Sequence, residues 1–407
     1  MRRVTSFVAI VLGLAVPASA QSFRPPDPLA RPWAKAQLNL GPIYFAPTFE
    51  LKDVGIESNV FNDDANPKSD LTGKLGLRSL IGVHFGEGLV FQVSQSNYYV
   101  YFRRYASERS IEADLGLTLE YRTRAFRPWI RWNRVKSAQR TGVEVDARAE
   151  RKVPTFDLGA DFTGTFRLGV SGAARRTRLQ YADTEMYEGV NLAQTLNGQS
   201  DAVQGYLRYA MTDLSDFIVG TDYLRDRFYE STKRDNDSYY YYAGVQTKEG
   251  ATFVGSATAG MRTQKHKDPT VPNFQGFIAN IGVGVVPSEY LRIDLNGARD
   301  IGYSYQEKYP YFVEESAGAT VTNRFAERMD LVLAARATWL RYNETIDGLK
   351  DPYTDRTVVL GIGTGFFLGG GTGARIGILF ERWARVSPIA DRNYVSNRIS
   401  SSYRLSF

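Results

Sequence analysis

Apolar and polar side chains alternate along most of this chain with a period of two. In the segment from Ile111 to Arg122, every second residue is Ile, Ala, Leu or Tyr, and Glu112, Asp114 and Glu120 lie between them. Because successive side chains of a β-strand point to opposite faces, this pattern predicts a strand with one apolar and one charged face. Similar segments recur roughly every 20 residues from Ile43 onward, which is the spacing of one strand and its connection.

The connections between these segments alternate between short turns and longer, more charged loops. Turns such as Gly86-Glu87-Gly88 and Thr123-Arg124-Ala125 alternate with loops such as 54–71, 139–152, 183–200 and 346–354. Counting both kinds gives about 18 strands, with 16 as the fallback. The number is even, which places both chain ends on the side of the short turns.

The apolar face of the segments is rich in aromatic residues, and the chain contains 25 Tyr and 23 Phe. A soluble all-β protein would need polar outward faces and two stacked sheets. Here the charged face alone is polar enough to contact water, whereas the apolar face suits lipid. The prediction is therefore an all-β fold, a transmembrane antiparallel up-and-down β-barrel of the bacterial outer membrane.

The first residues have the composition of a secretory signal peptide. Met1-Arg2-Arg3 is basic, Val8 to Val16 is a short apolar run, and Ala18-Ser19-Ala20 is a small-residue cleavage site. The apolar run is too short to span a bilayer. The expected organisation is a signal peptide at 1–20, cleaved after Ala20, a Pro-rich periplasmic arm at 21–40, and the barrel at 41–407.

The last predicted strand ends on an aromatic residue. Tyr403, Leu405 and Phe407 occupy its apolar face, and Arg404 lies on the other face. A terminal strand of this kind resembles the C-terminal signal of bacterial outer-membrane β-barrels, which the barrel-assembly machinery reads. The resemblance implies the assembly machinery, outer-membrane lipids and lipopolysaccharide as partners.

A second resemblance lies near the start of the predicted barrel. The stretch from Pro47 runs into a hairpin that contains Gly55, Asn59, Val60 and Phe61 in the spacing Gly-x-x-x-Asn-Val-Phe. This hairpin is similar to the opening of the putative β-barrel porin-2 group of outer-membrane proteins, and the rest of the chain matches the group in pattern and length. The resemblance implies an outer-membrane location, and some members of the group are associated with the export of surface polymers.

The chain offers little for catalysis or metal binding. Barrel hydrolases rely on a histidine base beside a nucleophile, and His84 and His266, the two histidines of the chain, lie in no catalytic pattern. Two distant histidines without cysteine provide no transition-metal cluster. The formal net charge of +6 is spread along the chain, so no nucleic-acid-binding surface is expected. We expect no enzyme activity, no cofactor and no metal.

The charged face of the predicted strands carries more information about function. Two interpretations are open: the charges pair across strands and stiffen the wall, or they line a hydrated channel whose arginines set its selectivity. The lumen-facing candidates are Arg78, Arg122, Arg167, Arg175, Arg208, Arg292, Arg336, Arg375, Arg398, Arg404, Asp114, Glu120, Asp157, Asp161, Asp294, Asp330 and Glu381.

Basic pairs also occur near the predicted outer ends of the strands. Cations at this level either hold lipid phosphates through charge-assisted hydrogen bonds or are solvated loop charges. The pairs are Arg103-Arg104, Arg151-Lys152, Arg175-Arg176 with Arg178, Lys233-Arg234, and Lys265 with Lys267.

Together these features favour a porin-like passive channel with a polar, arginine-rich lumen. Two alternatives stay open. One is an outer-membrane conduit for exopolysaccharide export that works with periplasmic partners, and the other is a closed structural or adhesive barrel.

Overall fold

The computed structural model describes Ala36 and residues 38–86, 88–140, 144–164, 167–248, 251–325, 328–345, 350–368 and 374–406. The predicted signal peptide, most of the predicted arm and Phe407 lie outside these residues. Within the described part, no helix is both long enough and apolar enough to cross a membrane.

Eighteen antiparallel strands form one closed barrel, which confirms the predicted fold. Each strand pairs with the next one along the chain, and β18 pairs with β1 to close the sheet. The strands are β1 Ile43–Glu57, β2 Asp70–Phe85, β3 Leu89–Phe102, β4 Ser110–Tyr121, β5 Phe126–Ser137, β6 Arg151–Thr163, β7 Leu168–Tyr181, β8 Gly198–Thr212, β9 Ser215–Phe228, β10 Asn236–Thr247, β11 Phe253–His266, β12 Phe274–Ser288, β13 Leu291–Tyr303, β14 Tyr311–Phe325, β15 Met329–Glu344, β16 Lys350–Leu368, β17 Ala374–Val386 and β18 Tyr394–Ser406.

The connections alternate in length around the barrel. Those that follow odd-numbered strands are the longer ones, such as 138–150 after β5 and 182–197 after β7, and those that follow even-numbered strands are short. We call the two ends of the barrel the long-loop end and the short-turn end. The chain enters β1 and leaves β18 at the short-turn end, as an even number of strands requires.

The two faces of the sheet differ as the alternation predicts. Outward side chains such as Leu77, Leu207 and Ile378 are large, apolar and exposed. Inward positions between them hold buried polar groups such as Glu50 and Asp157. Exposed apolar surface around a polar interior is the arrangement of a barrel that is surrounded by lipid.

Two strand boundaries differ from the sequence prediction because of bulges. The pairing of β1 with both neighbours shifts between Leu51 and Gly55, where Asp53 has a φ of 57°. This extra residue lets β1 continue to Glu57, although the sequence placed a loop from 54. A second shift pairs Glu344 with Lys350, so β16 begins at 350, within the loop predicted at 346–354.

Pro47 lies in β1 beside the closing seam. It is paired with Ser79 of β2, whereas the pairing of β1 with β18 begins one residue later, at Thr48 opposite Ser406. A residue without an N–H is tolerated in a strand where it meets a neighbour on one side only. Leu38–Leu40, which the sequence placed in the irregular arm, forms a short strand against the start of β1.

Candidate functional site

The barrel encloses a cavity of about 640 Å³ along the wall that β1, β2 and β15 to β18 form. The loop 138–150 forms part of its lining from the other side. Most of the residues that line it are charged or polar, so the cavity is suited to water and small charged solutes. Its charged residues are Glu50, Lys52, Asp53, Glu57, Lys74, Arg78, Glu112, Arg140, Asp146, Arg148, Glu314, Arg336, Arg375, Glu381, Arg398 and Arg404.

Glu50 of β1 is surrounded by donors from several strands. The Tyr98 hydroxyl donates to Glu50 Oε2 over 2.5 Å, and Arg404 Nε of β18 donates to Glu50 Oε1 over 2.9 Å. Lys52 Nζ and Arg78 Nη1 lie 3.5 and 3.6 Å from the same carboxylate. Because Arg404 and Glu50 belong to the last and first strands, this cluster fastens the barrel across its closing seam.

Several predicted lumen residues pair with each other. These pairs are buried or half-buried, so their charges satisfy one another inside the wall. The donor–acceptor distances are 2.8 Å for Arg122 to Glu120, 2.6 Å for Arg175 to Asp157, 2.6 Å for Arg375 to Asp330, 2.8 Å for Arg398 to Glu381 and 2.7 Å for Arg292 to Asp294.

Other predicted residues contact groups that the sequence did not single out. Asp114 accepts a hydrogen bond from Asn133 over 2.7 Å, Asp161 accepts one from Ser171 over 2.6 Å, and Arg208 lies 3.9 Å from Asp216.

Two arginines of the predicted set stand apart from these pairs. Arg336 lines the cavity together with Glu314, and its Nε has no hydrogen-bond partner in the described part of the chain. Arg167 was predicted to lie inside a strand, and that prediction is wrong. It occupies the turn before β7 with a φ of 59°, a left-handed conformation that interrupts the alternation of faces.

Residues 144–150 of the loop after β5 fold into the mouth of the barrel as an inserted loop, and the side chain of Glu144 is buried there. The Glu144 carboxylate accepts hydrogen bonds from Ser304 Oγ over 2.5 Å, from Tyr305 N over 3.2 Å and from the Tyr342 hydroxyl over 2.8 Å. Arg392 Nη2 donates to the backbone oxygen of Glu144 over 3.0 Å. This one residue therefore joins the loop to β15 and to two other loops.

The surroundings of Glu144 raise the pKa of its carboxyl group. Burial raises the pKa of the Glu144 carboxyl, while the hydrogen bonds from Ser304 and Tyr342 and the charge of Arg392 oppose that shift. The Arg392 guanidinium is itself buried and lies 2.7 Å from Asp355, which also accepts a hydrogen bond from Arg385 over 2.6 Å. Glu144 thus lies at the edge of a buried charge network at the long-loop end.

Apolar packing holds the rest of this loop. Val145 and Ala149 pack with Leu192, Leu196 and Tyr305 in one buried cluster. The two leucines belong to the short helix α1, Leu192–Leu196, in the loop 182–197. The loops 138–150, 182–197, 304–310 and 387–393 are thus packed together, and we call them the loop cap.

The hairpin motif near the start of the chain ties the first long loop to its neighbours. Asn59 Nδ2 donates to Asp63 O over 2.9 Å and to Val395 O of β18 over 3.2 Å. Val60 is fully buried, and its carbonyl oxygen accepts from Arg140 and Arg148 of the loop cap. Phe61 packs edge-on against Tyr105, and Gly55 lies against the backbone of β18. The motif therefore anchors the inserted loop at the closing seam.

The remaining predicted sites have simpler surroundings. Tyr403 and Leu405 pair with Leu51 and Phe49 on the outward face at the seam, and Phe407 lies outside the described residues. His266 stacks on Tyr311, and no group of three or more possible ligands for a metal ion occurs in the described residues.

Sequence reasoning missed Glu50, Glu144, Asp355, Arg385 and Arg392. Glu50 had a signal, because it occupies a polar position in the first alternating segment. Arg385 shares that signal, because it continues the polar positions of Arg375 and Glu381. Glu144 and Arg392 had none, since they lie in irregular loops and their partners are distant in sequence.

Comparison with known proteins places this geometry in context. The family model described as "Putative beta-barrel porin 2" matches residues 46–407. No curated protein matches. A BenF-like porin from Pseudomonas fluorescens Pf-5 has a similar fold at 10% identity, with 90% of this chain and 100% of that chain covered and a TM-score of 0.51. The outer membrane protein opdK from Pseudomonas aeruginosa is 10% identical, with 89% and 99% covered and a TM-score of 0.48.

Proposed function

Because the chain belongs to the "Putative beta-barrel porin 2" family, we propose that this porin-like outer-membrane barrel is a passive channel for small hydrophilic solutes. Its inward arginines and carboxylates would set the selectivity of the channel, and the inserted loop would set its bore. The proposal requires no catalytic residue. The long-loop end then faces the outside of the cell, since long loops of such barrels are extracellular.

The observation that carries the proposal is the charged cavity beside the inserted loop. Its wall carries acidic and basic side chains from many strands, and a hydrated ion inside the barrel would contact charges of both signs. Lysine and arginine outnumber aspartate and glutamate in the lining. Fixed charges inside a low-dielectric wall act strongly on nearby ions, so we expect a weak preference for anions.

The test is conductance of the purified barrel in a planar lipid bilayer. We expect stable single-channel steps in KCl, and a reversal potential in a KCl gradient that indicates a weak preference for chloride. A variant with a released cap, Glu144→Ala, serves as the second sample, because a closed cap by itself would silence the wild-type protein. Silence from both proteins would overturn the proposal.

A second candidate is a closed structural barrel, and the loop cap favours it. Leu192, Tyr305 and Tyr342 in and beneath the cap are almost fully buried, which shows how tightly these loops pack. A structural barrel needs no solute path. It would give no conductance in either sample and would still be required for an intact membrane, so loss of the protein would raise detergent sensitivity without changing solute uptake.

A further inference from the structure

The outward face of β5 to β9 changes character near the long-loop end. On β6, the outward position changes from Phe156 to Pro154 and then to Lys152, and on β7 it changes from Ala174 to Arg176 and then to Arg178. The strands β5 and β9 end in the same way, with Arg134 and Lys136 on β5 and Arg225 on β9. We call these residues the β5–β9 rim: Arg134, Lys136, Lys152, Arg176, Arg178 and Arg225.

The rim adjoins the apolar surface of the same strands. Ile130 of β5, Leu158 of β6 and Val203 of β8 are 48%, 46% and 57% exposed on the outward face. Outward positions follow each other at two residues, or roughly 7 Å along a strand. The basic groups therefore begin within one or two outward positions of the surface that contacts acyl chains.

The rim holds more positive charge than its own carboxylates neutralise. Lys136 and Lys152 lie directly opposite each other across the β5–β6 pair, an arrangement that is unfavourable for like charges. Glu150 is their shared partner, at 3.0 Å from Lys136 and 3.8 Å from Lys152. An anion between these strands would remove the remaining repulsion.

The arginines of the rim could also bind an anion. Arg176 pairs with Asp201 over 2.6 Å, and Arg178 donates only to the neutral side chain of Gln199, over 3.1 Å. Among the described carboxylates, none forms an ion pair with Arg134 or Arg178, and Arg225 lies opposite Asp201, which Arg176 already binds. Guanidinium groups bind phosphate oxygens through paired, charge-assisted hydrogen bonds.

We propose that the β5–β9 rim binds the phosphate groups of a phosphorylated glycolipid in the outer leaflet. The acyl chains would lie against the apolar rows beneath the rim, and Lys152 and Arg178, on adjacent strands roughly 5 Å apart, would hold one phosphate. This occupant is favoured over a second protein copy because the basic groups continue directly from the lipid-facing surface. The site lies outside the lumen, so it does not depend on the proposed channel.

The test measures binding of bisphosphorylated lipid A to delipidated barrel in detergent micelles by native mass spectrometry. Dephosphorylated lipid A and inorganic phosphate are the two comparison ligands. We expect a stable complex with the phosphorylated lipid alone, because both the acyl chains and the phosphate contribute. Equal binding of the dephosphorylated lipid would overturn the proposal, and so would inorganic phosphate binding as tightly as the lipid.

A pair of matched variants assigns the site. Lys152→Gln with Arg178→Gln should weaken binding at least about tenfold, through the loss of two charge-assisted contacts. Arg124→Gln with Arg167→Gln removes as much charge from exposed positions at the short-turn end and should leave binding unchanged. Unchanged binding in the rim variant would refute the assignment. A loss of oligomer mass in that variant, with unchanged lipid binding, would show instead that the rim is an interface between copies.

Discussion

Replacing Glu144 with alanine should release the inserted loop and raise the conductance of the barrel. The wild-type carboxylate joins this loop to Ser304, Tyr305 and Tyr342 through three hydrogen bonds. Alanine keeps the backbone bond from Arg392 but removes all three side-chain bonds. The loop would then be held by the packing of Val145 and its neighbours and by the hydrogen bonds of Arg140 and Arg148 to the Val60 carbonyl.

The size of the effect follows from the burial of these groups. A hydrogen bond to a charged group contributes about 1.5–3 kcal/mol, and removing one partner of a buried charged pair typically costs about 3–5 kcal/mol. Alanine also removes the cost of burying the carboxylate, so a net value of about 3 kcal/mol is reasonable. Since about 1.4 kcal/mol corresponds to a factor of ten, the closed loop should lose on the order of 100-fold in its equilibrium constant.

Single-channel recording in planar bilayers measures this change directly. Glu144→Ala should show larger or longer openings than the wild type, and cells that carry it should take up bulky hydrophilic antibiotics faster. Glu150→Ala is the matched control, because Glu150 belongs to the same loop but is partly exposed and contacts Lys136 and Lys152. Such a pair contributes about 0–1 kcal/mol, so the control should behave as the wild type does.

The reasoning would be refuted by Glu144→Ala traces that match the wild type in a protein with normal heat-modifiable migration. That result would mean that the apolar cluster around Val145 fixes the loop without help from the carboxylate. A variant that fails to fold is recognised by its migration. Glu144→Gln keeps one acceptor oxygen, so its conductance should lie between those of the wild type and Glu144→Ala.

Three further predictions test the fold and the cap. Gly55→Ala should impair barrel closure, because its Cβ would clash with the backbone oxygen of Ile399, whereas Gly205→Ala has open space and should migrate normally on heat-modifiability gels. Asp330→Asn should lower the free energy of unfolding in urea by roughly 3 kcal/mol, since it leaves a buried arginine of β17 without its charged partner; an unchanged midpoint would show that water replaces the carboxylate. Conductance should fall as the pH is lowered. Because burial raises the pKa of Glu144, its carboxyl binds a proton more tightly in the closed loop than in the open one. Acid therefore favours the closed loop, and the open fraction grows as the pH rises through that pKa. A Glu144→Gln protein should lose this dependence, and a pH profile unchanged by that substitution would assign it to another group.

The sequence by itself determined the class of fold and the face that each strand residue occupies. The pattern around Leu115 and Glu120 predicts both, because a strand has a period of two and the position of each residue therefore indicates which face its side chain occupies. The alternation of short and long connections led to 18 strands, which the structure confirms. Alternation failed where the backbone departs from a regular strand, as at Asp53 in a bulge and Arg167 in a turn.

Only the tertiary structure decided which charges meet. The pairing of Arg404 with Glu50 depends on closure of the sheet and on the register at the seam, which the bulge at Asp53 shifts by one residue. The same holds for Arg375 and Asp330, which lie on β17 and β15 with a strand between them.

The alternating pattern of the sequence did not predict the packing of the loop cap. Glu144 contacts Tyr342 and the guanidinium of Arg392, which are 198 and 248 residues away in the chain. Irregular loops have no periodicity from which such partners could be predicted. Their positions follow from the burial of charged and aromatic side chains inside a barrel that must already be closed. Period-two alternation is a local property, so it could be predicted from the sequence. The partner of each inward charge and the position of the inserted loop depend on closure of the whole sheet.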